Sequence, residues 1–182
     1  MTSQTLAARG PAASLDLLED LVAMEGCSIE QLCMELAKVF RVRAQEVALL
    51  QVDRLMLKFL HPAELRAAGA IPLSSSAVAA RTASNKRADY FNNFVTVQHS
   101  SVFESVKFPG SDVPNSEMDP SIIQKMMTVP VFGSGNKVAG VIQISRKGFD
   151  VNSAGPDFNS DDLDLLRQAA RAVGVFLSRK TN

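Results

Sequence analysis

Thr128-Val129-Pro130-Val131-Phe132-Gly133-Ser134-Gly135-Asn136-Lys137-Val138-Ala139-Gly140-Val141-Ile142-Gln143-Ile144-Ser145-Arg146-Lys147 is the stretch that decides the fold. Two β-branched runs flank Gly133 to Asn136, whose Gly and Asn residues supply the backbone freedom of a turn, so the stretch reads as a hairpin with a longer loop. The return strand is apolar on both faces. Strict alternation puts Val138, Ile142 and Ile144 on one face with Gly140, and Ala139 and Val141 on the other, as in a central strand covered on both sides. Gly140 marks either a close approach by another group or a bulge. Pro130 has no amide hydrogen for a ladder, which places its strand near an edge or in irregular pairing.

Downstream, Ser160 to about Ser178 reads as a helix capped by Ser160, with Asp161 and Asp162 in the first turn where the helix dipole favours acids. Leu163, Leu166, Ala170, Val173 and Leu177 form one stripe. Leu165, Ala169, Ala172 and Phe176 form a second beside it. Together they span about half the circumference, more than one sheet contact requires. The second stripe therefore calls for the N-terminal helices, another copy of the chain, or both.

Upstream, residues 1–13 read as a flexible tail and 14–182 as one domain. Ser14 starts a short helix to about Met24, with Leu15, Leu18 and Val22 on one stripe and Leu17, Leu21 and Met24 on another. Gly26 stops it. Ser28 with Gln31 is a capping-box pattern opening a second helix, whose core face is Ile29, Leu32, Cys33, Leu36, Ala37 and Phe40. Val47 to Val52 and Leu55 to Leu60 form a hairpin around Asp53-Arg54. Ala70 to Leu73 is a short strand, and Ala77 to Thr82 a short helix. Ser74, Ser75 and Ser76 before that helix are caps in the simplest reading and an anion site in the other. Residues 85–120 are irregular and carry Tyr90, Asn93, Phe94, His99 and Phe103. They read equally as a binding loop and as an insertion with aromatic anchors.

Composition narrows the class. The chain has 182 residues, 46% of them hydrophobic, enough for a sizeable core. Lysine plus arginine (19) balance aspartate plus glutamate (19), which argues against a general nucleic-acid footprint. No segment has the length of a membrane span and no apolar signal core opens the chain, so a cytoplasmic protein is expected. Cys27 and Cys33 form neither a disulfide framework nor a zinc array, and no metal site is expected.

The ordered set of Gly69-Ala70-Ile71-Pro72-Leu73, Met127 to Val131, Val138 to Ile144 with Lys147, and Phe158-Asn159-Ser160-Asp161-Asp162-Leu163 resembles a GAF domain, a small-molecule sensor and dimerisation module related to PAS domains. The resemblance covers roughly Ser14 to Ser178. It implies an α+β fold: an antiparallel sheet of five or six strands, terminal helices on one face, and a short helix with the irregular segment over a pocket on the other. Cyclic-nucleotide-binding members carry Asn-Lys, then Phe, then Asp-Glu. Here Arg146-Lys147, Phe158 and Asp162-Leu163 stand in those places, so that alternative is only partly matched. Residues 42–182 lack the cysteine that bilin-binding members use for chromophore attachment and that free-methionine-sulfoxide reductases use in the pocket. Haem-binding members use a pocket histidine, for which His99 is the candidate.

The expected function is a stand-alone sensory or regulatory protein, non-catalytic and without a cofactor. It would bind a small molecule and signal through a homodimer or a signalling protein in trans, with no nucleic acid and no membrane among its partners. Ser75, Arg81, Tyr90, Asn93, Phe94, His99 and Phe103 are the expected ligand residues: Arg81 for an anionic group, Ser75 and Asn93 for hydrogen bonds, the aromatics for stacking. Leu17, Leu21, Leu165, Ala169, Ala172 and Phe176 are the expected dimer interface. The alternative is an interaction and dimerisation module with a filled pocket and no ligand.

Overall fold

The computed structural model of the chain describes residues 11–96 and 122–180. Among them, six strands form one antiparallel sheet: β1 (Val47–Asp53), β2 (Met56–His61), β3 (Ala70–Pro72), β4 (Asp89–Phe91), β5 (Ile123–Phe132) and β6 (Val138–Lys147). Their spatial order is β3-β2-β1-β6-β5-β4. Helices α1 (Pro11–Ala23), α2 (Ile29–Phe40) and α4 (Ser160–Lys180) cover one face. Helix α3 (Val78–Asn85) covers the other. None of the described helices is long and apolar enough to cross a membrane.

Strand β6 lies in the middle, between β1 and β5, as its two apolar faces require. The alternation slips once. Val131 pairs with Gly140 and Phe132 with Val138, leaving Ala139 as an unpaired extra residue. This bulge turns Ala139 toward the helical face and Val138 toward the α3 face, opposite to strict alternation. Beside it, β1 approaches so closely that a Cβ on Gly140 would stand 2.3 Å from the Leu50 carbonyl oxygen. Both readings of Gly140 therefore hold.

β5 begins five residues before the expected start because Gln124 and Lys125 interrupt its apolar run. Both are buried and satisfied at a distance in sequence. Gln124 Nε2 donates to Gly148 O at 3.0 Å, and Lys125 Nζ reaches Gly155 O at 2.6 Å and Asp157 Oδ1 at 2.7 Å. β4 pairs with β5 only from Met126 to Thr128, so Pro130 lies where no outer strand needs its missing donor.

The helix starts differ in detail from expectation. Ser28 and Gln31 form the capping box, with Ser28 Oγ accepting from Gln31 N at 3.1 Å and Gln31 Oε1 from Ser28 N at 2.9 Å. At α4 the cap is Asn159 rather than Ser160: Asn159 Oδ1 accepts from Asp162 N, and Asp162 Oδ2 from Asn159 N, both at 3.0 Å. Asn159→Ala should cost about 1 kcal/mol in a denaturant titration, whereas Ser160→Ala should leave the midpoint within error. Helix α3 has Ala77 at its cap and no side-chain cap, so the serines do not serve as caps. Helix α1 starts at Pro11, one turn earlier than Ser14, in keeping with the preference for proline at a first helical position.

The second stripe of α4 is answered within the chain. α1 packs against α4 and α2, and Arg179 Nη1 closes the contact by donating to Val22 O at 2.7 Å. Ala169, Ala172 and Phe176 are buried in this monomer core, which corrects their assignment to a dimer interface. Leu21 and Leu165 are half-buried and Leu17 is exposed.

Candidate functional site

On the α3 face, apolar side chains fill most of the space between helix and sheet. Val78, Ala79, Ala80 and Ala83 of α3 pack on Leu50, Met126 and Val141. One polar side chain, Gln143, is buried in the middle of this face with its Nε2 3.4 Å from Met126 Sδ, and more polar groups gather toward the β4 side. There Val78, Arg81, Thr82 and Asn85 of α3 face Arg87, Asp89, Phe91 and Thr128 across a cleft of about 130 Å³. Two buried hydroxyls belong to its lining. Thr82 Oγ1 donates to Val78 O at 2.8 Å, so in its 2.9 Å contact with Thr128 Oγ1 the Thr128 hydroxyl is the donor. Arg81 and Arg87 are exposed and neither has an ion pair among the described residues. Asp89 Oδ1 accepts from Tyr90 N at 2.9 Å, and Phe91 meets Phe94 edge-to-face with centroids 6.1 Å apart. The cleft thus offers two guanidinium groups, one carboxylate and an aromatic wall.

Of the expected ligand residues that lie among the described residues, Arg81 alone lines this cleft. Phe94 is 1% exposed and belongs to the core, so it is not an accessible stacking surface. Tyr90 and Asn93 are exposed outside the cleft. Ser75 sits in the turn after β3, and its Oγ is buried without a hydrogen-bond partner among the described residues. His99 and Phe103 lie outside the described residues. Sequence reasoning missed Thr82, Arg87, Asp89 and Thr128. The signal available was weak: Thr82 follows Arg81 in an otherwise apolar helix face, and Thr128 is the polar residue in Met126 to Val131.

Asn92, not Asn93, ties this region to the rest. Its Nδ2 donates to Phe158 O at 2.9 Å and its Oδ1 accepts from Phe158 N at 2.8 Å. The Phe158 ring in turn carries the Arg146 guanidinium 4.7 Å from its centroid. Burial lowers Arg146 from its usual value, opposed by Asp162 and Glu46. Glu46 is buried at the start of β1 and accepts from Arg43 N at 2.8 Å and Lys147 N at 2.7 Å, joining β1 to the end of β6.

Both cysteines lie on the helical side of the sheet, away from the cleft. Cys33 is buried and desolvation pushes its thiol up to about 12, with the Glu30 carboxylate adding to the rise. At neutral pH only roughly one molecule in 10⁵ carries the thiolate. A thiol-reactive disulfide reagent should leave Cys33 unmodified in the folded protein and react there only after denaturation; rapid labelling of the native chain at Cys33 would contradict its burial.

Comparison with known proteins agrees with this architecture. The family model described as "GAF domain" matches residues 35–177. The GAF domain of an Acinetobacter phosphoenolpyruvate-protein phosphotransferase superposes with a TM-score of 0.67 at 13% identity, covering 94% of each chain. The free methionine-R-sulfoxide reductase of Neisseria meningitidis, solved in complex with its substrate, gives 0.64 at 17% identity over 100% of each chain. The reduced form of the Staphylococcus aureus enzyme fRMsr gives 0.58 at 17% identity over 96% of this chain and 99% of that one. A comparison with the sequences of curated proteins gives no match.

The reductases correct one expectation. The expectation of a non-catalytic chain does not hold as stated: the same fold serves as an enzyme in these neighbours, so enzymatic activity is compatible with the architecture. The family match spans most of the chain, the sheet has six antiparallel strands, and the helices divide between its faces as that family requires: the chain belongs to the GAF-domain family.

Proposed function

We propose that this GAF domain is a regulatory module that takes a small zwitterionic molecule, of amino-acid size, in the α3 cleft and passes the binding event to a partner protein in trans. The observation that carries this reading is the grouping of Arg81, Arg87 and Asp89 around the Thr82–Thr128 hydroxyl pair, at the place where the α3-face core gives way to polar groups. A guanidinium presents paired donors to a carboxylate, and an aspartate presents acceptors to an ammonium group. The volume of about 130 Å³ favours a few heavy atoms over a nucleotide or a haem.

Calorimetric titration with the common free amino acids tests the reading. At least one should bind, and Arg81→Ala should weaken it by roughly tenfold to a hundredfold, the range for losing a charged hydrogen bond. Asp89→Asn should weaken the amino acid while sparing the corresponding carboxylic acid without its amine. If Arg81→Ala leaves the affinity unchanged, the ligand does not use this cleft. A second reading has its own observation: the apolar filling by Phe94, Val78 and their neighbours leaves little room, as in an interaction module without a ligand. Under that reading no amino acid binds to the wild-type protein.

A further inference from the structure

A larger groove, of about 920 Å³, opens on the other side of Arg87, between α4 and the β5 edge. Its charge is one-sided. Lys86, Arg87, Arg167, Arg171 and Arg179 line it and, among the described residues, no acidic one does, in a chain whose charges balance overall. Arg167, Arg171, Val175 and Arg179 follow one another every fourth residue along α4 and are all exposed, so they form one row. At 1.5 Å per residue the row is about 18 Å long, the span of roughly five or six residues of extended chain.

Three of the cations are tethered. Arg167 bonds to Asp164 at 2.5 Å, Arg179 to Val22 O, and Lys86 Nζ to Asn136 O at 3.2 Å. Arg87 and Arg171 have no hydrogen bond or ion pair among the described residues. Apolar surface lies between the charges: Phe132 is 39% exposed and Val175 49%. The facing wall is β5 beyond Thr128, where β4 no longer pairs with it.

We propose that this groove docks an extended acidic segment of another protein, with apolar side chains between its carboxylates. A small anion would meet only one or two of the cations; an extended segment meets the row along its length. Apolar side chains of the segment would cover Phe132 and Val175. A nucleic acid fits less well, because the neutral chain supplies no wider positive field and the exposed apolar pair would gain nothing from phosphates. The proposal does not depend on a ligand in the α3 cleft, which lies on the opposite face of the sheet.

Fluorescence anisotropy with a labelled peptide of alternating glutamate and leucine, about eight residues long, tests it. The wild-type protein should bind this peptide, and a lysine–leucine peptide should not bind. Arg171→Glu should weaken binding by at least about tenfold, and Val175→Asp by a comparable factor, because each places a carboxylate against the peptide. Both positions are exposed, so the variants should melt with the wild type, which separates loss of the site from loss of the fold. Equal binding by Arg171→Glu would overturn the proposal. So would a single-stranded oligothymidylate that binds more tightly than the peptide and displaces it. If a glutamate–serine peptide binds as well as the glutamate–leucine one, the claimed role of Phe132 and Val175 is wrong.

Discussion

Phe176→Asp should unfold the protein rather than separate two copies of it. Phe176 is 4% exposed in the core shared by α1, α4 and the sheet. Deleting a buried phenylalanine costs about 3–5 kcal/mol through lost contacts and the cavity left behind. The substitution adds a carboxylate with no partner in that core, which must be desolvated or protonated on folding. The total loss should therefore be about 4 kcal/mol or more, a large share of the roughly 5–15 kcal/mol that holds a domain together. Urea unfolding followed by circular dichroism reads it directly. Val175→Asp, one position earlier on the exposed side, should stay within about 0.5 kcal/mol of wild type. A folded Phe176→Asp protein with an unchanged midpoint and a halved mass would mean that α4 is an interface after all.

The second large effect is expected at Gly140, from a single added methyl group. In Gly140→Ala the new Cβ would lie 2.3 Å from Leu50 O and 3.1 Å from Leu177 Cδ1. The leucine side chain can rotate away. The carbonyl cannot, because Leu50 belongs to β1 and pairs opposite Val141 and Phe59. Relief requires the two central strands to separate, at about 3 kcal/mol, the upper end of overpacking costs. Gly26→Ala is the control. Nothing lies within 4 Å of its Cβ, and only its φ of +90° is unfavourable, so about 1 kcal/mol is expected. If the two variants unfold at the same denaturant concentration, the close strand contact at Gly140 is not as tight as described.

The fold was legible where one rule governed a segment. The β5–β6 hairpin followed from β-branched runs around a glycine-rich turn, and the α2 start from the Ser28–Gln31 pair. It was not legible where a distant partner decided. Lys125 looks like a strand breaker until Asp157 and Gly155 are brought beside it by the loop before α4. The bulge at Ala139 cannot be read from a strand whose two faces are both apolar, because either face assignment satisfies the pattern. Asn159 and Ser160 are both good caps in the sequence, and the reciprocal hydrogen bonds with Asp162 single out the first.

The site was less legible than the fold. Arg81 stands out in the sequence as the lone cation on a short helix, and the structure puts it at the edge of the α3 cleft. Phe94 is ambiguous in the sequence because an aromatic in an irregular segment serves a lid and a core equally well, and its burial comes from joining the α3-face cluster beside Phe91. Thr128 reads in the sequence only as part of a strand. Its role comes from the 2.9 Å meeting with Thr82, 46 residues away, which no local pattern encodes.

Amide chemical-shift mapping during a titration with the common free amino acids tests whether the α3 cleft holds the ligand. One of them should move the resonances of Thr82, Asn85, Asp89 and Thr128 together and saturably, while those of Leu32 to Leu36 in α2 stay still. If no amino acid moves them, or the largest shifts run along Arg167 to Arg179 instead, the α3 cleft is not the ligand site.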